Sequence, residues 1–379
     1  MKNNIYLDNA ATTRVSREVY DAMMPYFMEQ FYNPSSIYQV ASSNKDMIEK
    51  QREIIANSIG AKTGEVYFTG SGTESDNWAL ISVFEAYAHK GNHIITSKIE
   101  HKAIIETCEY LKKRGARVTY IDVDNEGQVD IDALKESIDN DTILISIMHA
   151  NNEIGAIQKI KEIGEIAKEK DIIFHVDAVQ TYGKLPIDVR DSNIQMLSLS
   201  AHKIKGPKGV GALYIQNGVK VLSYIHGGHQ ERGRRAGTEN MPGIVGFGTA
   251  AHIACQDMNS IQDNIQINRD YFIDKMTNSI EGVHLNGGIN NRLANNVNLR
   301  FEGIDAQIML ISLDFAGILA SSGSACETGA LDASHVLLAI GLDEKETRSS
   351  IRFTLSEDTT KEELDYVVNE CAKIVERLR

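Results

Sequence analysis

Three residues at the edges of apolar runs carry the reactive chemistry of this chain. Lys203 closes Ser198-Leu199-Ser200-Ala201-His202-Lys203, Asp177 closes Phe174-His175-Val176-Asp177, and Cys326 ends Ser322-Gly323-Ser324-Ala325-Cys326. A lysine fixed directly after a buried strand is placed to form a Schiff base with an aldehyde, and it is better placed for this than Lys205 or Lys208, which read as solvated. An aspartate at the end of an apolar strand is costly to bury as an anion unless a cation meets it. A protonated ring nitrogen is one such cation, and a helix N-cap is the equal alternative. A cysteine among small residues has little to pack against and much backbone freedom, so Cys326 reads as exposed and reactive. Glu327 beside it disfavours the thiolate, which implies a compensating positive group. Cys108, Cys255 and Cys371 sit in helical stretches and read as inert.

Further segments end strands in the same way. Thr69-Gly70-Ser71-Gly72-Thr73-Glu74-Ser75 opens a helix, where free backbone N–H groups and the positive dipole end suit a phosphate. It lacks the Lys-Ser/Thr ending of a P-loop, and simple capping explains Thr73-Glu74 equally well. His101 lies just past a strand, either to stack on a ring and move protons or to cap the next helix. Asn152 and Glu153 end another strand in what also reads as an ordinary Asn-rich turn. Arg232-Gly233-Arg234-Arg235-Ala236-Gly237-Thr238 is a basic loop suited to an anion, a subunit boundary or plain solvation. Arg352, on the apolar run Ile351-Arg352-Phe353-Thr354, either clamps a carboxylate or pairs with an internal acid.

The elements that must position these residues follow an α/β pattern, with short apolar runs alternating with amphipathic helices from about residue 66 to 215. The expected strands are 66–69, 93–97, 118–122, 143–148, 172–176, 196–200 and 211–215. The expected helices are 74–89, 102–113, 131–138 and 160–170. This predicts a mainly parallel seven-stranded sheet in a large domain spanning 14–258. Residues 243–280 read as one connecting helical region, and a smaller α+β set follows at 296–301, 306–313, 334–340, 350–354 and 361–376. With the first dozen residues it forms the expected small domain, 1–13 and 259–379. His101, Asn152, Asp177, Gln180, Lys203 and the Gly72-Thr73 loop then all fall at the carboxyl ends of strands, the ligand edge of such a sheet.

Composition excludes several classes. The chain of 379 residues is 42% hydrophobic, enough for two cores. A formal net charge of −13 and the lack of any run of five basic residues argue against a nucleic-acid surface. No apolar run reaches eighteen residues and no apolar leader opens the chain, so a cytoplasmic protein without membrane partners is expected. The 4 cysteines are too scattered for a disulfide framework or a zinc site, and no metal is expected.

Lysine, buried acid, anion-binding turn and mobile thiol together point to pyridoxal 5'-phosphate chemistry. In order and wording the chain resembles the NifS/IscS-type cysteine desulfurases of the aspartate-aminotransferase fold family. The resemblance runs through Tyr6-Leu7-Asp8-Asn9-Ala10-Ala11-Thr12-Thr13, Asn33-Pro34-Ser35-Ser36, Gly72-Thr73-Glu74-Ser75-Asp76-Asn77, Asn151-Asn152-Glu153-Ile154-Gly155, Asp177-Ala178-Val179-Gln180, Ser198 to Lys203, Arg234 to Asn240 and Ser322 to Cys326. It implies that Lys203 carries the cofactor, Asp177 holds the ring nitrogen, Gln180 contacts the ring oxygen and His101 stacks on the ring. Gly72, Thr73, Ser200 and His202 would hold the phosphate, with Thr238 supplied by the second subunit of a homodimer, and Asn152 and Arg352 would bind the carboxylate of L-cysteine. Cys326 would take sulfur as a persulfide, leave L-alanine and pass the sulfur to an acceptor, an iron–sulfur scaffold or a tRNA-thiolation enzyme. A selenocysteine lyase or another aminotransferase-like enzyme is the alternative. Tyr38, His229, Ala236 and Glu327 depart from the usual family pattern.

Overall fold

The structure is a computed structural model and describes residues 4–322 and 333–379. In chain order its strands are β1 (Ile5–Tyr6), β2 (Val66–Thr69), β3 (His93–Ser97), β4 (Arg117–Ile121), β5 (Thr142–Met148), β6 (Ile173–Asp177), β7 (Met196–Ser200), β8 (Gly211–Ile215), β9 (Val283–Leu285), β10 (Asn296–Phe301), β11 (Ile318–Leu319) and β12 (Ser350–Thr354). Seven of them form one sheet in the order β2-β8-β7-β6-β5-β3-β4. Only β8 runs against its neighbours; the other pairings are parallel. A parallel sheet needs crossovers that place helices on both faces, so its strands read as nearly continuous apolar runs. Thr142-Ile143-Leu144-Ile145-Ser146-Ile147-Met148 is buried throughout, whereas β4 at the sheet edge is only partly buried and begins with Arg117.

Register places the site. Met148 pairs with Asp177, and Asp177 with Ser198, so β5 and β6 stop at one level and β7 runs two residues further. There the chain turns into the helix Gly72–Ala86 after β2, into the helix Lys102–Lys112 after β3, and into the short 3-10 turn Ala201–Lys203 after β7. Ser71 Oγ accepts from Glu74 N at 3.1 Å, and His101 Nδ1 accepts from Ala103 N at 3.1 Å. Both residues therefore satisfy N–H groups that a helix start leaves without partners.

A second core gathers Leu7 with residues from Ile265 to Val375. It is built on the antiparallel strands β12-β10-β9, with β1 joining β11 in parallel. The helix Lys361–Leu378 packs against it through Leu364, Val367, Val368 and Cys371. A small apolar cluster links the two regions, with Ile99, Met148 and Ile154 meeting Val336, Leu337 and Ile340.

The structure corrects parts of the sequence reading. The helical region expected over 243–280 is present, as two helices, Met241–Gln256 and Met258–Ser279, broken at Asp257 with φ −118° and ψ 26°. The helix Gln39–Ser58 was not expected, because Asn44, Gln51 and Arg52 lie on its buried face and mask its apolar period. Lys205 is only partly solvated. Its Nζ pairs with Glu357 at 2.6 Å and Asp358 at 2.9 Å.

Candidate active site

A cavity of about 320 Å³ opens at the carboxyl ends of β3, β5, β6 and β7. Gly72, Thr73, His101, Asn152, Asp177, Gln180, Ser200, His202, Lys203 and Arg352 all line it. Thr238 does not; it is exposed on the loop before the helix Met241–Gln256. Cys326 and Glu327 lie outside the described residues.

The N-terminal segment closes the cavity from above. Lys203 Nζ donates to Ala10 O at 2.6 Å and Ala11 O at 2.8 Å, and Gln180 Nε2 donates to Ala10 O at 3.0 Å. Thr13 N reaches His202 O at 2.9 Å, and His202 Nδ1 lies 3.1 Å from Thr12 Oγ1. Burial, with Lys203, Lys208 and Lys184 nearby, pulls the His202 pKa down to about 4. This histidine is therefore neutral at neutral pH.

Asp177 is 6% exposed, and its Oδ1 accepts from Val179 N at 2.9 Å. Burial raises its pKa, while His101, the Val179 N–H and Lys203 pull it down. For His101, burial lowers the pKa and Asp177 opposes the shift. The reading of His101 as a helix cap holds, and the same ring also walls the cavity. The two asparagines divide their work. Asn151 is a turn residue whose Oδ1 accepts from Glu153 N at 2.8 Å and Ile154 N at 2.9 Å, while Asn152 faces the cavity.

Arg352 is 1% exposed and donates from Nη1 to Asn152 O at 3.0 Å and from Nη2 to Asp8 Oδ1 at 2.8 Å. It has the internal acid partner and a cavity-lining position together. At the opposite end Ser71, Gly72 and Thr73 present the start of a 15-residue helix. A Cβ on Gly72 would sit 2.6 Å from Val179 Cγ2, so only glycine lets this backbone approach so closely. Glu74 is occupied elsewhere, in a two-point pair with Arg235 at 2.8 and 3.1 Å.

Sequence reasoning passed over Asp8, Asp76, Glu100 and His335. Asp8 partners Arg352, and the other three line the cavity. Asp76 and Glu100 stand next to recognised motifs, but nothing in their residue type announces that they are buried.

The family model for class-V aminotransferases matches residues 5–367. The chain belongs to the class-V aminotransferase family. Within it, the chain is 50% identical over 379 residues to a cysteine desulfurase IscS of Dictyoglomus turgidum, covering 100% of this chain and 96% of that one. It is 50% identical over 375 residues to the IscS of Methanosarcina thermophila, covering 99% and 93%. Among solved structures, a NifS-like protein superposes with a TM-score of 0.94 at 37% identity, covering 99% of this chain and all of that one. SspA in complex with cysteine superposes with a TM-score of 0.83 at 38% identity, covering 94% of this chain and 100% of that one.

Class-V aminotransferases are pyridoxal phosphate enzymes, and the cavity fits that group. It has a helix start cleared by glycine for a phosphate, a buried carboxylate for a ring nitrogen and a lysine amine between them.

Proposed function

We propose that the protein is a cysteine desulfurase that converts L-cysteine to L-alanine and holds the sulfur on Cys326 as a persulfide. The observation that carries this reading is how the segment bearing Cys326 is tethered. On one side Ser321 exchanges backbone hydrogen bonds with Arg352, at 3.1 and 2.6 Å. On the other, Ser334 Oγ donates to Glu153 Oε2 at 2.5 Å, and His335 Nε2 lies 2.9 Å from Glu100 O. Both anchors are on the cavity wall. Cys326 is four residues beyond Ser322, a reach of at most about 14 Å. The described thiols do not compete: burial pushes the Cys108 pKa up to about 12 and raises those of Cys255 and Cys371.

The site residues take the following parts. Gly72, Thr73, Ser200 and His202 hold the phosphate, Asp177 faces the ring nitrogen, Gln180 the ring oxygen, and His101 the ring itself. Lys203 is the attachment point. Arg352 and Asn152 hold the substrate carboxylate, with Arg352 sharing its guanidinium between Asp8 and the incoming anion. When bound, pyridoxal phosphate supplies the electron sink that weakens the bonds at the substrate α-carbon. The Lys203 amine moves the α-proton. The Cys326 thiolate then attacks the substrate sulfur, the S–S bond forms, and the C–S electron pair stays with carbon, which takes up a proton and leaves as alanine.

The wider assignments belong to the same proposal. The protein acts as a homodimer, with Thr238 completing the partner's phosphate site, as its exposure and distance from its own cavity lining support. It passes sulfur to an iron–sulfur scaffold or a tRNA-thiolation enzyme and works in the cytoplasm, in keeping with free Cys108, Cys255 and Cys371. Domains of 14–258 and of 1–13 with 259–379 are supported by the separate core around Leu7 and Ile265–Val375. Among the described residues no helix is long and apolar enough to cross a membrane, and no group of acids, histidines and cysteines could hold a metal. Incubation of the cofactor-loaded protein with L-cysteine should yield alanine together with sulfane sulfur on Cys326. Alanine formed at the native rate by Cys326→Ala would overturn the assignment.

A further inference from the structure

Four carboxyl groups, Asp76, Glu100, Glu153 and Asp177, line the same buried cavity. Glu153 accepts from Ser334 Oγ, and the question concerns the other three. Among the described residues the nearest basic group to any of these three at ion-pair distance is a histidine, His175 Nε2, 3.7 Å from Asp76 Oδ1. That ring is no counter-ion. Its nitrogens are taken by Ser146 Oγ at 2.8 Å and Ser198 Oγ at 2.9 Å, and burial pushes its pKa down to about 3. Several other charged groups around the cavity have partners of their own, Arg352 with Asp8 among them. The Lys203 amine donates to the carbonyls of Ala10 and Ala11, Glu74 pairs with Arg235, and burial holds His101 toward its neutral form.

The hydrogen bonds separate the three acids. Asp177 Oδ1 accepts from Val179 N, and Glu100 Oε1 accepts from Ser97 Oγ at 2.6 Å and Met148 N at 3.0 Å. Glu100 Oε2 and Asp76 Oδ1 are buried without a hydrogen-bond partner. Asp76 itself is 1% exposed. An unpaired buried carboxylate is far more costly than its protonated form, and such groups neutralise. The cofactor would bring one further cation, its ring N–H, which can pair with one carboxylate of the three.

We propose that Asp76 is a positioning residue that stores a proton: as a neutral acid beside Asp177, it leaves Asp177 the anion of the pair and so fixes where the ring-nitrogen proton is held. The electrostatics agree. Burial first, then the charge of Asp177, raise the Asp76 pKa well above the usual carboxylate range, Ser198 pulls it back and Glu100 adds to the rise. The inference rests on the reading of Asp177 as the ring-nitrogen partner.

Two measurements on the cofactor-loaded protein test it. The infrared spectrum should show the carbonyl stretch of a protonated carboxylic acid that disappears in Asp76→Asn; its absence from the native spectrum would overturn the proposal. Asp76→Asn, the neutral isostere, should bind pyridoxal phosphate within about threefold of native at pH 7. As the pH rises toward 10, native affinity should fall about tenfold further than that of the variant, since each pKa unit between ionised and neutral forms is tenfold. A loss of about tenfold or more in Asp76→Asn already at pH 7 would also overturn the proposal. Asp177→Asn separates the underlying reading. If that variant keeps both native affinity and the native cofactor absorption band, the Asp177 assignment fails, and with it the role given to the Asp76 proton.

Discussion

Glu100 shows how one side chain makes the stability of this protein depend on pH. Burial pushes its pKa up to about 8, against an ordinary value of 4.5, although Ser97 and Met148 N donate to its carboxyl group. Between those two values the unfolded chain has released the proton and the folded chain still holds it. The unfolded state then binds fewer protons, and stability falls as pH rises through the window. Glu100→Gln keeps the shape and has no proton to lose. Urea unfolding of the cofactor-free protein should show the native losing about 3 kcal/mol relative to the variant between pH 5 and 8. Equal slopes for the two proteins would contradict a neutral Glu100. Residue type alone made Lys203, Asp177 and Arg352 legible, because a charged group ending an apolar run needs a reason. It did not reveal Glu100 or Asp76, which sit in polar stretches and become unusual only once the sheet buries them.

At the scale of elements, the loop that presents Thr238 is held by a buried clamp. Arg52, on the helix Gln39–Ser58, meets Glu231 through Nη1–Oε2 at 2.6 Å and Nη2–Oε1 at 2.9 Å, and Phe68 N donates to the same carboxylate at 2.8 Å. Both ion-pair side chains are 4% exposed. Glu231 and Arg232 have φ of 45° and 59°, a left-handed backbone that non-glycine residues hold only when their surroundings impose it. Arg52→Ala would leave Glu231 charged and unpaired, at a cost of about 3–5 kcal/mol. Chemical denaturation should show that loss, and Arg52→Ala/Glu231→Gln should recover part of it. A single variant as stable as native would mean that the pair adds nothing. The same helix was the element least legible in the sequence, because the arginine that makes the clamp interrupts the apolar pattern. The seven strands of the large sheet, with β10 and β12, were legible to within a residue, since a buried strand reads as an unbroken apolar run ended by a polar turn; β1, β9 and β11, of two or three residues, were not. The break at Asp257 carried no glycine or proline to announce it.

At the scale of the whole molecule, one surface is unusually apolar for a chain of net charge −13. Phe27, Met28, Phe31 and Ile37 are 56%, 80%, 65% and 104% exposed, with Tyr20, Met24, Tyr38 and Val40 also largely exposed. Such a run marks a surface that meets another protein, and a second copy of the chain is the occupant the Thr238 assignment requires. Sedimentation should find a dimer. Met28→Asp/Phe31→Asp should weaken it about a hundredfold or more, at ~1.5–3 kcal/mol for each large apolar side chain that loses its burial. The same variant should bind pyridoxal phosphate less tightly if, as proposed, Thr238 completes the partner's phosphate site. A monomeric native protein with full cofactor affinity would rule out that arrangement. The overall architecture was legible because βα alternation leaves few topologies open. The joining of the chain's start to the C-terminal region was expected too, but its strand partner β11 was not.

Lys203 borders two spaces, the cavity of about 320 Å³ in front and a chamber of about 800 Å³ behind, which Lys184 and Ile253 also border. Lys203 is thus shared by the walls of both spaces. A compound lodged in the rear chamber would touch Lys203 and no other residue of the front wall, so it should slow turnover in a way that no excess of substrate relieves.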